Sequence, residues 1–263
     1  MPEYAIVLAG FAVGLIVGLT GVGGGSLMTP ILIFFFGIKP YLAVGTDLLF
    51  AAVTKAGGTL SLARQKLVPW RVVGLLSAGS LPAAAITLYA LHRVGPASEP
   101  VQKVMTLTLG GALLLTAVAM FYKAARGKQL PRSLTSADLA RASQPRHTAL
   151  PVLFGALIGT LVTLTSVGAG AIGVSALLLL FPLLPLPRIV AADIAYAVPL
   201  TLLAGLGHAS LGSVDWRLLS LLLCGSLPGI WLGTRLIRHT PERLVRSALS
   251  LLIGYAGIKL IAL

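Results

Sequence analysis

Apolar residues run along this chain in ten stretches, at about residues 4–19, 27–36, 42–62, 72–91, 104–122, 150–164, 172–181, 190–209, 218–236 and 248–263. Within each stretch the apolar character is continuous instead of alternating, which predicts helices and argues against a β-barrel. Five stretches precede a polar interval at 123–147, and five follow it. Most are long enough for a helix to cross a bilayer, which takes about 20 residues. The pair at 4–19 and 27–36, and the pair at 150–164 and 172–181, are shorter. Their members are either tilted spans or the limbs of re-entrant hairpins. A small-residue interruption separates the limbs of each pair: Leu19-Thr20-Gly21-Val22-Gly23-Gly24-Gly25-Ser26 in the first, Leu164-Thr165-Ser166-Val167-Gly168-Ala169-Gly170-Ala171 in the second. Glycines at 21, 23, 24 and 25 would each cost a continuous helix about 1 kcal/mol relative to alanine. A helix break is expected there.

Composition places these helices in a membrane. Hydrophobic residues make up 57% of the chain and charged residues 10%, with mean hydropathy +0.96. A soluble domain would carry about 25% charged residues, so an all-α polytopic membrane protein is predicted. The net charge of +13 does not point to nucleic acid, because the 20 Lys and Arg residues cluster in linkers and at segment ends. No aromatic–basic surface alternates along the chain, and orienting the segments in a bilayer is the better use of these charges. Cys224 is the single cysteine; it has no intrachain partner, and its setting after Leu221-Leu222-Leu223 suggests a helix-packing thiol. The N-terminus lacks the basic region and cleavage signal of a secretory peptide, so Glu3 onward is expected in the mature protein.

The two halves repeat. Asp47 corresponds to Asp193, Trp70-Arg71 to Trp216-Arg217, and Gly79-Ser80-Leu81-Pro82 to Gly225-Ser226-Leu227-Pro228, all at an offset of 146, while the glycine breaks lie 145 apart. The chain therefore divides into an N-terminal membrane repeat at 1–122, a linker at 123–147 and a C-terminal membrane repeat at 148–263. The linker carries Lys123, Arg126, Lys128, Arg132, Arg141 and Arg146 against Asp138 alone, which predicts a cytoplasmic position. One crossing per segment then puts the Arg64/Lys66/Arg71 and Arg235/Arg238/Arg243 turns inside. The turns with Lys39, Arg93 and Asp215/Arg217 fall outside. Each half makes an odd number of crossings, so the repeats are expected to be inverted, with both termini outside a cell (inner or plasma) membrane.

Inversion gives the breaks a chemical meaning, because it can bring them to one cavity from opposite sides. Unwound turns leave amides unpaired, and helix N-termini carry partial positive charge, which suits an oxyanion. The candidate ligand-facing residues are Thr20, Gly21, Gly23, Gly24, Gly25 and Ser26 in the first break and Thr165, Ser166, Gly168 and Gly170 in the second. The competing use is a tight packing turn, with the Thr20, Ser26, Thr165 and Ser166 hydroxyls satisfying local backbone groups instead of a ligand. Thr46, Asp47 and Lys55 interrupt the third segment. An aspartate in an apolar segment must be paired, neutralised or near water, so Asp47 and Asp193 are candidates for coupling or gating, with helix capping or a structural salt bridge as the alternative. Lys55 would attract substrate or compensate an acid of the opposite repeat; its counterpart is Thr201. His208, after Gly207 near a segment end, is expected as a satisfied histidine at a membrane interface, with a titrating group as the alternative. Trp70 and Trp216 read as interface anchors, and Pro82 and Pro228 as helix kinks. No histidine–cysteine–acid spacing supports a metal, and no phosphate-loop, haem or nucleophile–base motif is present, so neither a cofactor nor an enzyme is expected.

These residues together resemble the TauE/SafE family, also described as sulfite exporters or the TSUP membrane-protein family. The resemblance spans essentially the whole chain. It rests on Gly18 to Ser26, on Ala43-Val44-Gly45-Thr46-Asp47-Leu48, on Gly57-Gly58-Thr59-Leu60-Ser61 and on Trp70-Arg71. The second copy keeps Val167-Gly168-Ala169-Gly170, Ala192-Asp193 and Val214-Asp215-Trp216-Arg217. The resemblance implies a secondary transporter, an exporter of sulfite or a small organosulfonate, with proton coupling as an option. A small-anion channel and a membrane scaffold are the alternatives. The implied partners are a small sulfur-containing anion, the lipid bilayer and, as an option, a second copy in a homodimer. Gly24, Thr46 and Lys55 are matched by Ala169, Ala192 and Thr201, so more substrate contact is expected in the first half and more gating in the second.

Overall fold

The computed structural model describes residues 3–20, 25–125, 148–236 and 242–261. Among these, every regular element is a helix: α1 (Glu3–Thr20), α2 (Gly25–Phe34), α3 (Pro40–Arg64), α4 (Trp70–Val94), α5 (Glu99–Ala125), α6 (Ala149–Thr165), α7 (Ala171–Leu180), α8 (Leu186–Ser210), α9 (Trp216–Leu236) and α10 (Glu242–Ile261). Each apolar stretch became one helix. The helices overrun the apolar stretches at their polar ends because backbone hydrogen bonding continues past the hydrocarbon. The largest difference is at α10, which begins six residues before the stretch at 248. Pro82 and Pro228 lie inside α4 and α9 without ending them.

Helix length separates two kinds of element. Trp70–Val94, Glu99–Ala119, Leu186–Ser210 and Trp216–Gly233 are long and apolar enough to cross a membrane. Leu8, Ile86, Val118, Leu157 and Leu251 stand outward on the surface, the arrangement expected where the surroundings are lipid. The protein is a multi-pass membrane protein. By contrast α2 and α7 have 10 residues each, about 15 Å at 1.5 Å per residue and half of a ~30 Å core. Neither spans by itself.

Glycine sets the closest packing. α1 lies on α9 and α4 lies on α6. A Cβ on Gly10 or Gly14 of α1 would strike the backbone of Leu222 or Ser226, and a Cβ on Gly225 would lie 2.9 Å from the Phe11 nitrogen. In the other pair, a Cβ on Gly155 or Gly159 would strike Leu76 or Ser80, and one on Gly79 would lie 2.8 Å from the Ala156 nitrogen. With no Cβ the backbones meet directly, as small residues allow between membrane helices. Within each pair the contacts advance together along both chains, so the two helices run parallel. Two other pairs run antiparallel. On α3 and α8, Gly45 meets His208, Leu49 meets Gly205, and Gly58 meets Ile194; on α5 and α10, Ala117 meets Gly254 while Leu114 meets Gly257.

Among the described residues two apolar clusters form the interior, and each draws on both halves of the chain. One joins Val13, Met28, Leu32 and Leu113 to Leu218, Leu222 and Ile253. The other joins Val72, Leu76 and Met105 to Ile158, Val162, Leu177 and Leu200. α3 serves both, with Ala43, Leu49 and Phe50 in the first and Val44 and Leu48 in the second. It is therefore buried from two sides, and its Thr46, Asp47 and Lys55 are held inside the packing.

Candidate functional site

The second glycine break is closed by its own hydrogen bonds. α6 stops where Ser166 turns left-handed at φ 59°, and the Ser166 amide donates to the Val162 carbonyl at 2.7 Å. The Thr165 hydroxyl accepts from the Val167 amide at 3.1 Å and lies 2.7 Å from the Leu161 carbonyl, to which it donates. Its hydroxyl is thus occupied locally. Gly168 and Gly170 have φ values of 135° and 136°, conformations that side-chain-bearing residues rarely adopt. The Gly173 amide then donates to the Gly168 carbonyl at 2.9 Å and starts α7.

His208 of α8 supports this break. A helix end leaves its last carbonyls without intrahelical partners, and the His208 Nε2 donates to the Thr163 carbonyl at 2.9 Å. The imidazole is fully buried. His208 lies two residues from the end of α8, where α8 packs against α6, and its Nε2 is satisfied there. Cys224 is a correction, since it is exposed on α9 and does not pack between helices. Trp70 and Trp216 each open a helix and are each 62% exposed, as anchors would be.

Three charged side chains are buried among the described residues: Asp47, Lys55 and Asp193. The Thr29 hydroxyl of α2 donates to Asp47 Oδ2 at 2.5 Å, and Ser166 lies against the same carboxylate. Asp193 on α8 packs on α7, where a Cβ on Gly173 would fall on its Oδ1. Ile194 faces Gly58 in this antiparallel pair, so Asp193 lies about twelve residues beyond Asp47 along α3, about 18 Å at helical rise. Lys55 occupies the interval. Helical side chains lean toward the N-terminus of their helix, and the Lys55 ammonium sits within electrostatic reach of both carboxylates. It donates to the Ala169 carbonyl at 3.3 Å, so a lysine of the first half holds the glycine break of the second.

Thr46 faces a different way. Its hydroxyl accepts from the Asp215 amide at 3.1 Å, and Asp215 Oδ1 accepts from the Leu218 amide at 2.9 Å, capping α9. The corresponding pair in the other half is Ala192 with Pro69, which has neither the hydroxyl nor the amide. Both partners of this bond change together between the halves.

The structure therefore gathers Asp47, Lys55, Asp193, Ser166 and the backbone of Gly168 to Gly170 into one buried region. Thr20 ends α1, and Gly25 with Ser26 begins α2. Gly21, Gly23 and Gly24 lie outside the described residues. Sequence reasoning passed over Thr29, Gly173 and Tyr196. A polar residue in a half-length apolar stretch marks Thr29, and spacing of three from Asp193 marks Tyr196.

Helices throughout the described residues, four of them long and apolar enough to span, and a buried lysine within electrostatic reach of two buried aspartates beside a broken helix define a multi-pass membrane protein with a buried charged cluster. The chain belongs to the sulfite exporter TauE/SafE family, whose model matches residues 6–260. Among curated relatives it is 37% identical over 257 residues to the probable membrane transporter protein YjnA of Bacillus subtilis, covering 98% of this chain and 99% of that protein. It is 25% identical to the probable membrane transporter protein YdhB, over 97% and 99% of the two chains, and 27% identical to YunE, over 90% and 87%, both from the same organism. No solved structure matches the chain. Family and relatives make it a membrane transporter.

Proposed function

We propose that the chain is a secondary transporter of a small sulfur oxyanion, sulfite or a small organosulfonate, working as an exporter coupled to protons. The observation that carries this reading is the Lys55 ammonium, buried at the second break between two carboxylates. An ammonium at a broken helix is suited to replace the water around an anion. The charges also favour a proton. With all three groups ionised the described centre has a net charge of −1 (one lysine against two aspartates), which repels an anion strongly at low dielectric. One proton on either carboxylate makes the centre neutral, and two make it positive. Anion and proton thus load together, and an accumulated anion leaves with its proton. Two inverted repeats would carry the load across by rocking, a reading supported by the antiparallel α3 with α8 and α5 with α10, which are equivalent helices of the two halves.

Sulfite flux by the purified protein in empty liposomes tests the reading. Saturable flux is expected; flux that does not saturate would indicate a channel, and none at all a scaffold. An inside-alkaline gradient should accelerate uptake. Asp47→Asn and Asp193→Asn should each keep sulfite exchange while losing that acceleration. Full gradient response in both variants and in the double variant would reject coupling at these acids. Sidedness has its own test, in a Cys224→Ser background because Cys224 is exposed. A cysteine at Ser136 should label from the cytoplasm and one at Ser98 from outside, and the reverse pattern would reject the orientation.

A further inference from the structure

The two acids are equivalent in sequence, yet their surroundings differ. On the Asp47 side Thr29 already donates to the carboxylate, and Met28 and Phe50 are buried apolar side chains. The equivalents of Met28 and Phe50 in the second half are Gly173 and Tyr196. Gly173 lets the Asp193 carboxylate lie directly on the first turn of α7. Tyr196 adds a hydroxyl. It is fully buried, makes no hydrogen bond among the described residues, and its oxygen is 3.3 Å from the position of a Cβ on Gly173. A buried hydroxyl without a partner is costly, so such a donor aimed at a helix start calls for an acceptor.

That helix start is suited to supply the rest. The first turn of any helix presents amides that the helix does not use, with partial positive charge. In α7 the Gly173 and Val174 amides are tied back to the Gly168 and Gly170 carbonyls, which fixes the turn. Lys55 stands on the other side, bonded to Ala169 and within electrostatic reach of Asp193. The groups favouring an anion are therefore a helix N-terminus, a tyrosine hydroxyl and an ammonium. The anion now lying among them is the side chain of Asp193.

We propose that the first turn of α7, the Tyr196 hydroxyl and the Lys55 ammonium form the oxyanion subsite of this transporter, and that the Asp193 carboxylate occupies it as a tethered competitor until substrate displaces it. This rests on the anion-transport reading and deepens it. It places substrate contact in the second half, with Tyr196 as a binding residue and Asp193 as an internal stand-in for the substrate. Two carboxylate-like charges cannot share the subsite, so the substrate enters when Asp193 is neutral or withdrawn.

Sulfite binding to the purified protein at one fixed pH separates this proposal from a structural role for the same residues. Tyr196→Phe removes the hydroxyl alone and should weaken sulfite binding about ten-fold, the loss expected of a hydrogen bond to a charged acceptor. Its thermal stability without sulfite should stay level or rise, because an unpartnered polar group has gone. Asp193→Asn removes the competing charge and should tighten sulfite binding about ten-fold or more. Tightening cannot be produced by damaged folding, so this variant keeps the test decisive if others fold poorly. Unchanged sulfite affinity in Tyr196→Phe, or weaker affinity in Asp193→Asn, would overturn the subsite. Failure of the wild-type protein to bind or carry sulfite and small sulfonates would overturn the transport reading itself, a separate result.

Discussion

Replacing Lys55 with glutamine is expected to lower sulfite affinity by about 30-fold, equivalent to roughly 2 kcal/mol for a lost charge-assisted contact. Lys55→Arg keeps the charge and should lose much less, although its planar fork fits the Ala169 carbonyl differently. A second effect accompanies the first. Lys55 is 7% exposed and is the buried cation described between Asp47 and Asp193. Its removal takes this cation away from two buried carboxylates, and breaking such a buried arrangement costs about 3–5 kcal/mol. Thermal unfolding in detergent should therefore fall in Lys55→Gln. Adding Asp193→Asn removes one of the two buried negative charges and should recover much of the stability. Sulfite affinity in that double variant should remain below that of Asp193→Asn alone, because the ammonium is still missing. Equal affinity in the two would assign Lys55 to charge compensation only.

Gly79→Ala and Gly225→Ala are expected to destabilise the fold by more than the usual overpacking cost of about 1–3 kcal/mol, and the valine variants should not yield folded protein. At both positions the new Cβ meets backbone: the Val152 carbonyl and Ala156 nitrogen for Gly79, the Val7 carbonyl and Phe11 nitrogen for Gly225. A rotamer change in a neighbour cannot relieve such a contact; the helices must separate. Gly74→Ala is the control on the same α4. Nothing lies within 4 Å of its added Cβ, so the change is expected to be neutral or to stabilise the helix by about 0.5–1 kcal/mol. Thermal unfolding of the three alanine variants decides the matter. Similar values for Gly74→Ala and Gly79→Ala would show that α4 and α6 are not held at this distance.

The break at Gly168 to Gly170 shows how local chemistry became legible. Small residues there predicted an interruption because a helix loses backbone entropy at glycine, and the structure uses φ values that only glycine readily adopts. For Thr165 the sequence left two uses open, a ligand or its own backbone, and the structure shows the second. Whether a hydroxyl serves its own backbone or a ligand depends on turn geometry, and both uses leave the same letter in the sequence. Thr46 repeats the lesson across a longer distance, since its partner is the backbone amide of Asp215 on a distant turn. Cys224 was misplaced, and the neighbour that covers His208 was not legible, because hydropathy measures depth along one segment and carries no information about which neighbour covers it.

By itself the sequence determined the helical class, the ten segments to within a few residues at most edges, the duplicated acids and the membrane setting. These follow from continuous apolar runs, glycine interruptions and offsets of 145 and 146, all local properties of the chain. Only the tertiary structure decided which helix lies on which, and with that what each buried charge meets. α1 packs on α9 and α4 on α6 because glycines far apart in sequence face one another's backbone. That interlocking carries Lys55 from the first half to Ala169 in the second and sets Asp193 on the first turn of α7. A one-dimensional pattern specifies how a residue prefers to be surrounded; the contacts themselves arise from packing between helices, and the function proposed here depends on those contacts.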